Sequence, residues 1–445
     1  MRADNYFRRS LRGYFTAAKD PNIRHGGSGI IVSLKRILYG RNLTLPDVSH
    51  AESLILNQYK HISYSELLES TYLLSRITRE FGGIIQPRVA EILLERCERG
   101  LEELSRQDLI RLVQICSIMI NRNKLADGDV ASSTLVPLRS RLVQQCLSSL
   151  QDRYEDMSAA SVSLLISSLA RMYEPELNDS FHDLGVEVAR RLNLCSGSDI
   201  SRPASLLVLS DVDKLMSYTC LAFAQAELRT PKEFNDSCLR FVNNCKDHIP
   251  YSGLCQFISA FPRCIPPSSM SHPTLQDVLR YMERIAISAD TRADLTLMDM
   301  IRLIHGASLL SEDAHKRLVN LLLSETIQRP SREFTIHVLR DLAILLGNSK
   351  GVDDAVAQRF NAELILHARE IPSQYIMQIL ESLMANRLLT CRVLESYLNK
   401  VVLPNMRRIA KHDLLTISRM TFPVSKKLQS KIAGSCQFHI QKKGS

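Results

Sequence analysis

The chain has 445 residues and a formal net charge of +9, with 45% hydrophobic and 23% charged residues, 17 Gly, 16 Pro and no Trp. Few glycines and few aromatics exclude the Gly-turned, aromatic-stranded barrels and sandwiches and favour helices. A chain this long has outgrown a single core, which leaves two or three globular domains or one repeat array that lengthens along an axis.

No run of about 18 apolar residues occurs, so no helix is expected to span a membrane. The charge is unevenly placed. Residues 1–45 hold nine Lys and Arg against Asp4 and Asp20, and residues 400–445 hold ten against Asp413 alone. With the whole chain at +9, and these ends at +7 and +9, residues 46–399 are left at −7. Basic ends flank a mildly acidic body.

In chain order, the first 20 residues carry Arg2, Arg8, Arg9 and Arg12, with Phe7, Leu11, Tyr14 and Ala18 at helical spacing opposite them. A basic, acid-poor amphipathic start reads as a mitochondrial targeting segment, and otherwise as a basic arm. Gly26, Gly27 and Gly29 mark a linker, and IIVSLKRILYGRN is a short basic amphipathic segment containing Lys35 and Arg36. Residues 1–61 are therefore expected to form a basic extension.

From about residue 62 one pattern repeats: a small polar residue or Pro, an apolar helix, a loop, a more charged helix. The expected openers are Ser63, Ser105, Ser158, Ser210, Pro250, Thr296, Ser331 and Ser373, with a degenerate last helix from Lys411. A Ser or Thr hydroxyl accepts a bond from an orphan first-turn N–H, and an acid three residues on completes a box-like start, as in Ser105 with Asp108, Ser210 with Asp213 and Thr296 with Asp299. The second helices include 87–101, 137–150, 273–287 and 352–368, and the first helices are expected to be the more buried set. The openers recur at about forty-odd residues, which suits two helices and two loops per unit. Segments 121–133, 193–204 and 265–273 read as longer loops.

The expected fold is all-α: an α-solenoid of about eight or nine degenerate helix-pair repeats over 62–422, followed by a basic C-terminal helix and tail over 423–445. That last region, with the residues before it, carries Arg407, Arg408, Lys411, Lys426, Lys427, Lys431, Lys442 and Lys443. Such a field releases counterions from phosphates and drives nucleic-acid binding. Only Phe422 and Phe438 interleave, so base stacking is expected to be minor.

No catalytic residues, cofactor or metal site are expected, and the chain reads as a non-enzyme. There is no GxxxxGK[ST], no HExxH and no GxSxG, and GGSGII (26–31) lacks the Lys and the preceding strand of a phosphate loop. None of the 11 Cys forms a CxxC pair; Cys238, Cys245, Cys255 and Cys264 are too widely spaced for a zinc ribbon and read as buried thiols. His305 and His337 read as core or interface histidines, and Glu95, Glu98, Glu102 and Glu103 as a solvated face.

The apolar helices SVSLLISSLARM, TIHVLRDLAILL and YIMQILESLMANRLL resemble the degenerate repeats of mitochondrial RNA proteins, namely the heptatricopeptide and octotricopeptide repeats and the helical region of FAST-kinase-like proteins. The resemblance covers about 62–422; those families commonly close with a RAP domain, and no equivalent follows residue 422. It implies an RNA-associated protein of the mitochondrial matrix, either a transcript-binding factor or a constituent of the mitochondrial ribosome. A net acidic body of irregular period does not suit a one-base-per-repeat reader. The expected role is therefore a ribosomal scaffold in a large complex, holding ribosomal RNA with basic ends (Arg8, Arg9, Arg12, Lys35, Arg36 and the C-terminal set) and other proteins with the body. A transcript-binding factor and a protein-only scaffold of another mitochondrial complex are the alternatives.

Overall fold

The computed structural model describes residues 29–39, 45–81, 85–119, 132–151, 153–172, 174–196, 203–348, 352–368, 370–385, 391–409 and 411–442. Helices joined by turns account for them, and no strand occurs among the described residues. They fall into two compact units, one ending at Leu275 and the other beginning at Gln276.

The first unit runs α1 (Gly29–Leu38), α2 (Leu45–Gln58), α3 (Tyr64–Phe81), α4 (Pro87–Arg99), α5 (Arg106–Met119), α6 (Ser132–Gln151), α7 (Ala159–Met172), α8 (Asn178–Ser196), α9 (Pro203–Gln225), α10 (Lys232–Cys245) and α11 (Tyr251–Cys264). Helices pack on their neighbours and on the next but one. α1 packs on α3, α3 on α5, α5 on α7, α7 on α9 and α9 on α11, while α4 packs on α6 and α8 on α10.

The two sets bury different amounts of surface for a sequence reason. In α5, Leu109, Ile110, Leu112, Val113, Ile115, Cys116 and Met119 are all buried, more than one face of a helix. In α4 only the stripe Val89, Ala90, Leu93, Leu94 and Cys97 is buried, at the spacing of a helix covered on one side. Each fully buried Leu or Ile contributes about 2 kcal/mol of transfer free energy. Phe223 on α9 ties three helices: its ring lies edge-on to Phe181 of α8 at 5.5 Å and stacks on Phe234 of α10 at 6.2 Å.

The second unit follows the same logic with most of α12 (Pro273–Ile287), the single turn α13 (Ala289–Arg292), α14 (Leu297–Leu310), α15 (Glu312–Gln328), α16 (Ile336–Asn348), α17 (Asp354–Leu366), α18 (Ser373–Ala385), α19 (Cys391–Tyr397), the short α20 (Leu403–Asn405), α21 (Lys411–Arg419) and α22 (Lys426–Lys442). α14 packs on α16 and α16 on α18; α15 packs on α17 and α17 on α19; α21 packs on α22.

Several helix starts follow the expected chemistry. Ser63 Oγ accepts from Glu66 N–H at 3.3 Å while Glu66 Oε2 accepts from Ser63 N–H at 3.2 Å. Thr296 and Asp299 make the same reciprocal pair at 3.2 Å each. Two expected openers are corrected. Ser210 lies inside α9, which begins at Pro203, a residue suited to the first helical position. Ser331 sits in a 3-10 turn ahead of α16, where Thr335 accepts the Val338 N–H at 3.3 Å instead. Ser331 Oγ is used elsewhere: it donates to Glu363 Oε1 at 2.7 Å and accepts from Arg359. The helix expected from Pro137 begins earlier, at Ser132, with Pro137 inside it.

Of the expected loops, 121–131 and 197–202 lie outside the described residues, while 193–196 continue α8. In 265–273, Pro267–Ser269 form a 3-10 turn before Pro273 starts α12. The segments α1 and α2 fall within the expected extension, yet both pack on α3, and Ile30, Leu34 and Leu38 of α1 are buried.

Polar links between successive helix pairs recur at similar separations along the chain. Gln86 N–H donates to Glu52, Arg191 to the Tyr154 carbonyl and Thr230 Oγ1 to the Cys264 carbonyl, at separations of 34, 37 and 34 residues. In the second unit Arg292 pairs with Glu325, Arg329 donates to the Leu295 carbonyl and Ser331 donates to Glu363, at 33, 34 and 32.

Candidate nucleic-acid interface

The arginines of the body are mostly occupied. Arg111 pairs with Glu69 at 3.1 Å, Arg317 with Glu283 at 2.6 Å, and Arg359 with Glu363 at 2.9 Å. Arg141 grips Glu98 through two nitrogens, at 2.5 and 3.1 Å, so Glu98 is an ion-pair partner and not simply a solvated acid. Arg190 and Arg191 share Glu187, which holds that carboxyl below its usual range despite an opposing push from burial. The most enclosed pair is Arg139 with Glu174, supplemented by Ser140 Oγ donating to Glu174 Oε2. Planar guanidinium forks suit carboxylates, and a fork already holding one is poorly placed to take a phosphate.

The C-terminal region is built differently. α22 has the sequence KKLQSKIAGSCQFHIQK, with no acidic residue. Leu428, Ile432 and Cys436, spaced by four, are buried on one side. Lys426, Lys427 and Lys431 are exposed, as are Lys400, Arg407 and Arg419. None of these six makes an ion pair among the described residues; Asp413, the region's acid, sits 3.6 Å from His412. The turn Met406–Arg408 packs against α22, which brings Arg407 to the same part of the second unit.

No protein-family model matches this chain. No curated protein matches it either.

The other residues expected to touch RNA are placed as follows. Lys35 Nζ lies 3.4 Å from Glu69 Oε1 and is tied into the α1–α3 contact, whereas Arg36 is exposed and makes no ion pair among the described residues. The side chains of Arg408, Lys411 and Lys442 lie outside the described set, as do Arg8, Arg9, Arg12 and Lys443 altogether. Of the two aromatics near the basic tract, Phe422 is buried, but Phe438 is 61% exposed, with its ring edge-on to His439 at 5.2 Å. The sequence signal for this was present: Phe438 falls off the Leu428, Ile432, Cys436 stripe.

The interior offers thiols and one acid. Among described cysteines all but Cys195 are buried, and burial pushes the Cys97 and Cys116 thiols up to about 12. Among the described residues no three His, Cys, Asp or Glu side chains converge as metal ligands. His337 is exposed and meets the Tyr375 hydroxyl through Nδ1 at 3.1 Å. Asp213, on α9, is buried, and its Oδ1 has no hydrogen-bond partner among the described residues. Burial raises its pKa to about 7, against the opposing charge of Lys214. An added Cβ on Gly253 of α11 would stand 2.5 Å from Asp213 Oδ2, so the carboxyl packs directly against the α11 backbone and would have to shift to admit a side chain there. A shallow depression of about 510 Å³ between α4 and α6 is lined by Glu98, Arg99, Glu102 and Arg141 and carries both signs of charge.

Proposed function

We propose that this chain is a non-catalytic helical scaffold, an α-solenoid of degenerate helix pairs, that binds RNA through its C-terminal basic region. One observation carries this reading: Lys400, Arg407, Arg419, Lys426, Lys427 and Lys431 are gathered within residues 400–431, exposed and without ion pairs among the described residues, on and around a helix that has no acid, whereas many body arginines, Arg111, Arg317 and Arg359 among them, hold carboxylates. Unpaired cations on an acid-free helix attract a polyanion and are drawn closer by counterion release. The alternation of neighbour and next-but-one packing supports the repeat reading.

Within this reading the chain is a structural constituent of a mitochondrial ribosome. The basic N-terminal segment and the resemblance to mitochondrial RNA proteins support that placement. The net acidic charge of residues 46–399 favours a scaffold over a transcript reader, which needs a positive groove along its repeats.

The test is to isolate the tagged full-length protein from its own cells at moderate salt, with and without ribonuclease, and to sediment it through a gradient. Co-migration with ribosomal RNA in a large particle, lost on nuclease treatment, supports the proposal. A small RNA-containing particle points to transcript binding, and a nuclease-insensitive position without RNA rules the RNA reading out.

A further inference from the structure

We infer that Lys427, Lys431, Gly434 and Phe438 form a strip on α22 that takes an unpaired segment of RNA, with phosphates on the two ammonium groups and a base against the Phe438 ring. The inference rests on the RNA-binding reading and deepens it, because it specifies unpaired rather than duplex RNA.

The four residues follow the i, i+4, i+7, i+11 spacing that places side chains on one side of a helix. That side is centred about 130° around the helix from the buried stripe of Leu428, Ile432 and Cys436, and all four of its residues are exposed, so packing and binding do not compete for it. Lys427 and Lys431 are one turn apart, about 6 Å along the axis, and Phe438 lies about 10 Å beyond Lys431. Phe438 is 61% exposed, and the neighbouring His439 ring meets it edge-on, leaving ring surface toward solvent. Every base has a π-face, so an exposed ring beside cations serves as a sequence-tolerant stacking platform.

Gly434 is the second, independent observation. It sits inside a helix, where glycine is a poor choice, and a Cβ built on it meets nothing within 4 Å. Packing therefore gives no reason for it. Its position between Lys431 and Phe438 leaves bare backbone where a ribose or a base edge would lie.

The chemistry disfavours other occupants. A helix lying on a membrane keeps its apolar face for lipid, whereas the apolar stripe of α22 is already buried. A protein partner calls for a contiguous apolar patch; here a single exposed ring follows a glycine, with the two lysines further back along the helix. Duplex RNA offers stacked bases that a side chain on a helix surface cannot reach.

The chain has no Trp, so Phe438→Trp places a single reporter in the strip. The full-length variant is titrated with a short unstructured oligoribonucleotide, its duplex form, and vesicles containing anionic lipid. The inference predicts quenching by the single strand that high salt reverses, a much weaker effect of the duplex, and no blue shift with vesicles. Phe438→Leu, which keeps the bulk but not the π-face, is expected to weaken single-strand binding about tenfold, the equivalent of roughly 1.4 kcal/mol. Gly434→Ala is expected to hold or raise the melting temperature while weakening binding about threefold, a combination that a purely structural glycine would not give. Single-strand binding that is unchanged in Phe438→Leu and Gly434→Ala overturns the strip but leaves the RNA reading intact. No binding of any RNA by the wild type overturns both, and a blue shift with vesicles without quenching by RNA overturns the choice of occupant.

Discussion

The backbone N–H of Ser425 donates to Glu395 Oε1 at 3.2 Å, so the first turn of α22 is held by a carboxylate from α19, 30 residues back in the chain. Ser425 Oγ also accepts from Leu428 N–H at 3.4 Å, completing the cap. A carboxylate at a helix N-terminus satisfies an orphan donor and complements the helix dipole. The basic helix is thereby anchored to the helical body at its start.

Glu395→Ala is expected to lower the local stability of α22 by about 1 kcal/mol. Native-state amide exchange over residues 426–441 reads this out. Faster exchange there, with α14 to α16 unaffected, is the expected result; unchanged protection would show that the contact holds nothing in place.

The Arg139–Glu174 pair makes a second, larger prediction. Glu174→Ala leaves a buried guanidinium without its carboxylate and is expected to cost about 3 kcal/mol. Replacing both residues with Met is expected to cost less than the single change, because no buried charge is then left alone. Urea unfolding of the three variants checks the order. A double variant worse than Glu174→Ala would contradict it.

Asp213 gives stability a pH dependence whose sign follows from its environment. Burial raises its pKa from 3.8 to about 7, so between about pH 4 and pH 7 the folded state holds a proton that the unfolded state has released. This group's contribution to stability therefore falls as pH rises through that window and is level above it. Asp213→Asn removes the slope, so its stability relative to the wild type is expected to rise from pH 5 to pH 8. Thermal melts of both proteins from pH 5 to 8 test it; parallel curves would show that Asp213 is not the source.

Glu227 adopts a left-handed backbone, φ 57°, just after α9. Leu228 N–H bonds to the Phe223 carbonyl at 3.0 Å and Glu227 N–H to the Ala224 carbonyl at 3.4 Å, the paired bonds of a Schellman cap. Glycine takes this conformation without a Cβ penalty, so Glu227→Gly is expected to raise stability by about 1 kcal/mol. A loss of stability in chemical denaturation would mean that the Glu227 side chain holds a contact of its own.

What the sequence disclosed and what it hid divide along physical lines. Helix starts such as Ser63 with Glu66 and Thr296 with Asp299 are local, since both partners lie within one turn, and they are legible from spacing. The same spacing misleads at Ser210, because Pro203 had already begun the helix. Ser331 misleads for a tertiary reason: its hydroxyl serves Glu363, a residue 32 positions away. The site divides in the same way. That α22 is basic and acid-free is plain from its letters. That Lys35 is taken by Glu69, or that Arg111 also pairs with Glu69, depends on contacts between helices that no local pattern encodes.

The salt dependence of RNA binding tests the central claim most directly. The measurement is the affinity of the full-length protein for an unstructured oligoribonucleotide across a salt series, for the wild type and for a variant carrying Lys426→Gln, Lys427→Gln and Lys431→Gln. Each phosphate contact on a single strand contributes about 0.7 to the slope of log affinity against log salt, so the triple variant is expected to bind more weakly with a slope shallower by about 2. An unchanged slope and affinity would show that the C-terminal helix does not hold RNA and would contradict the account.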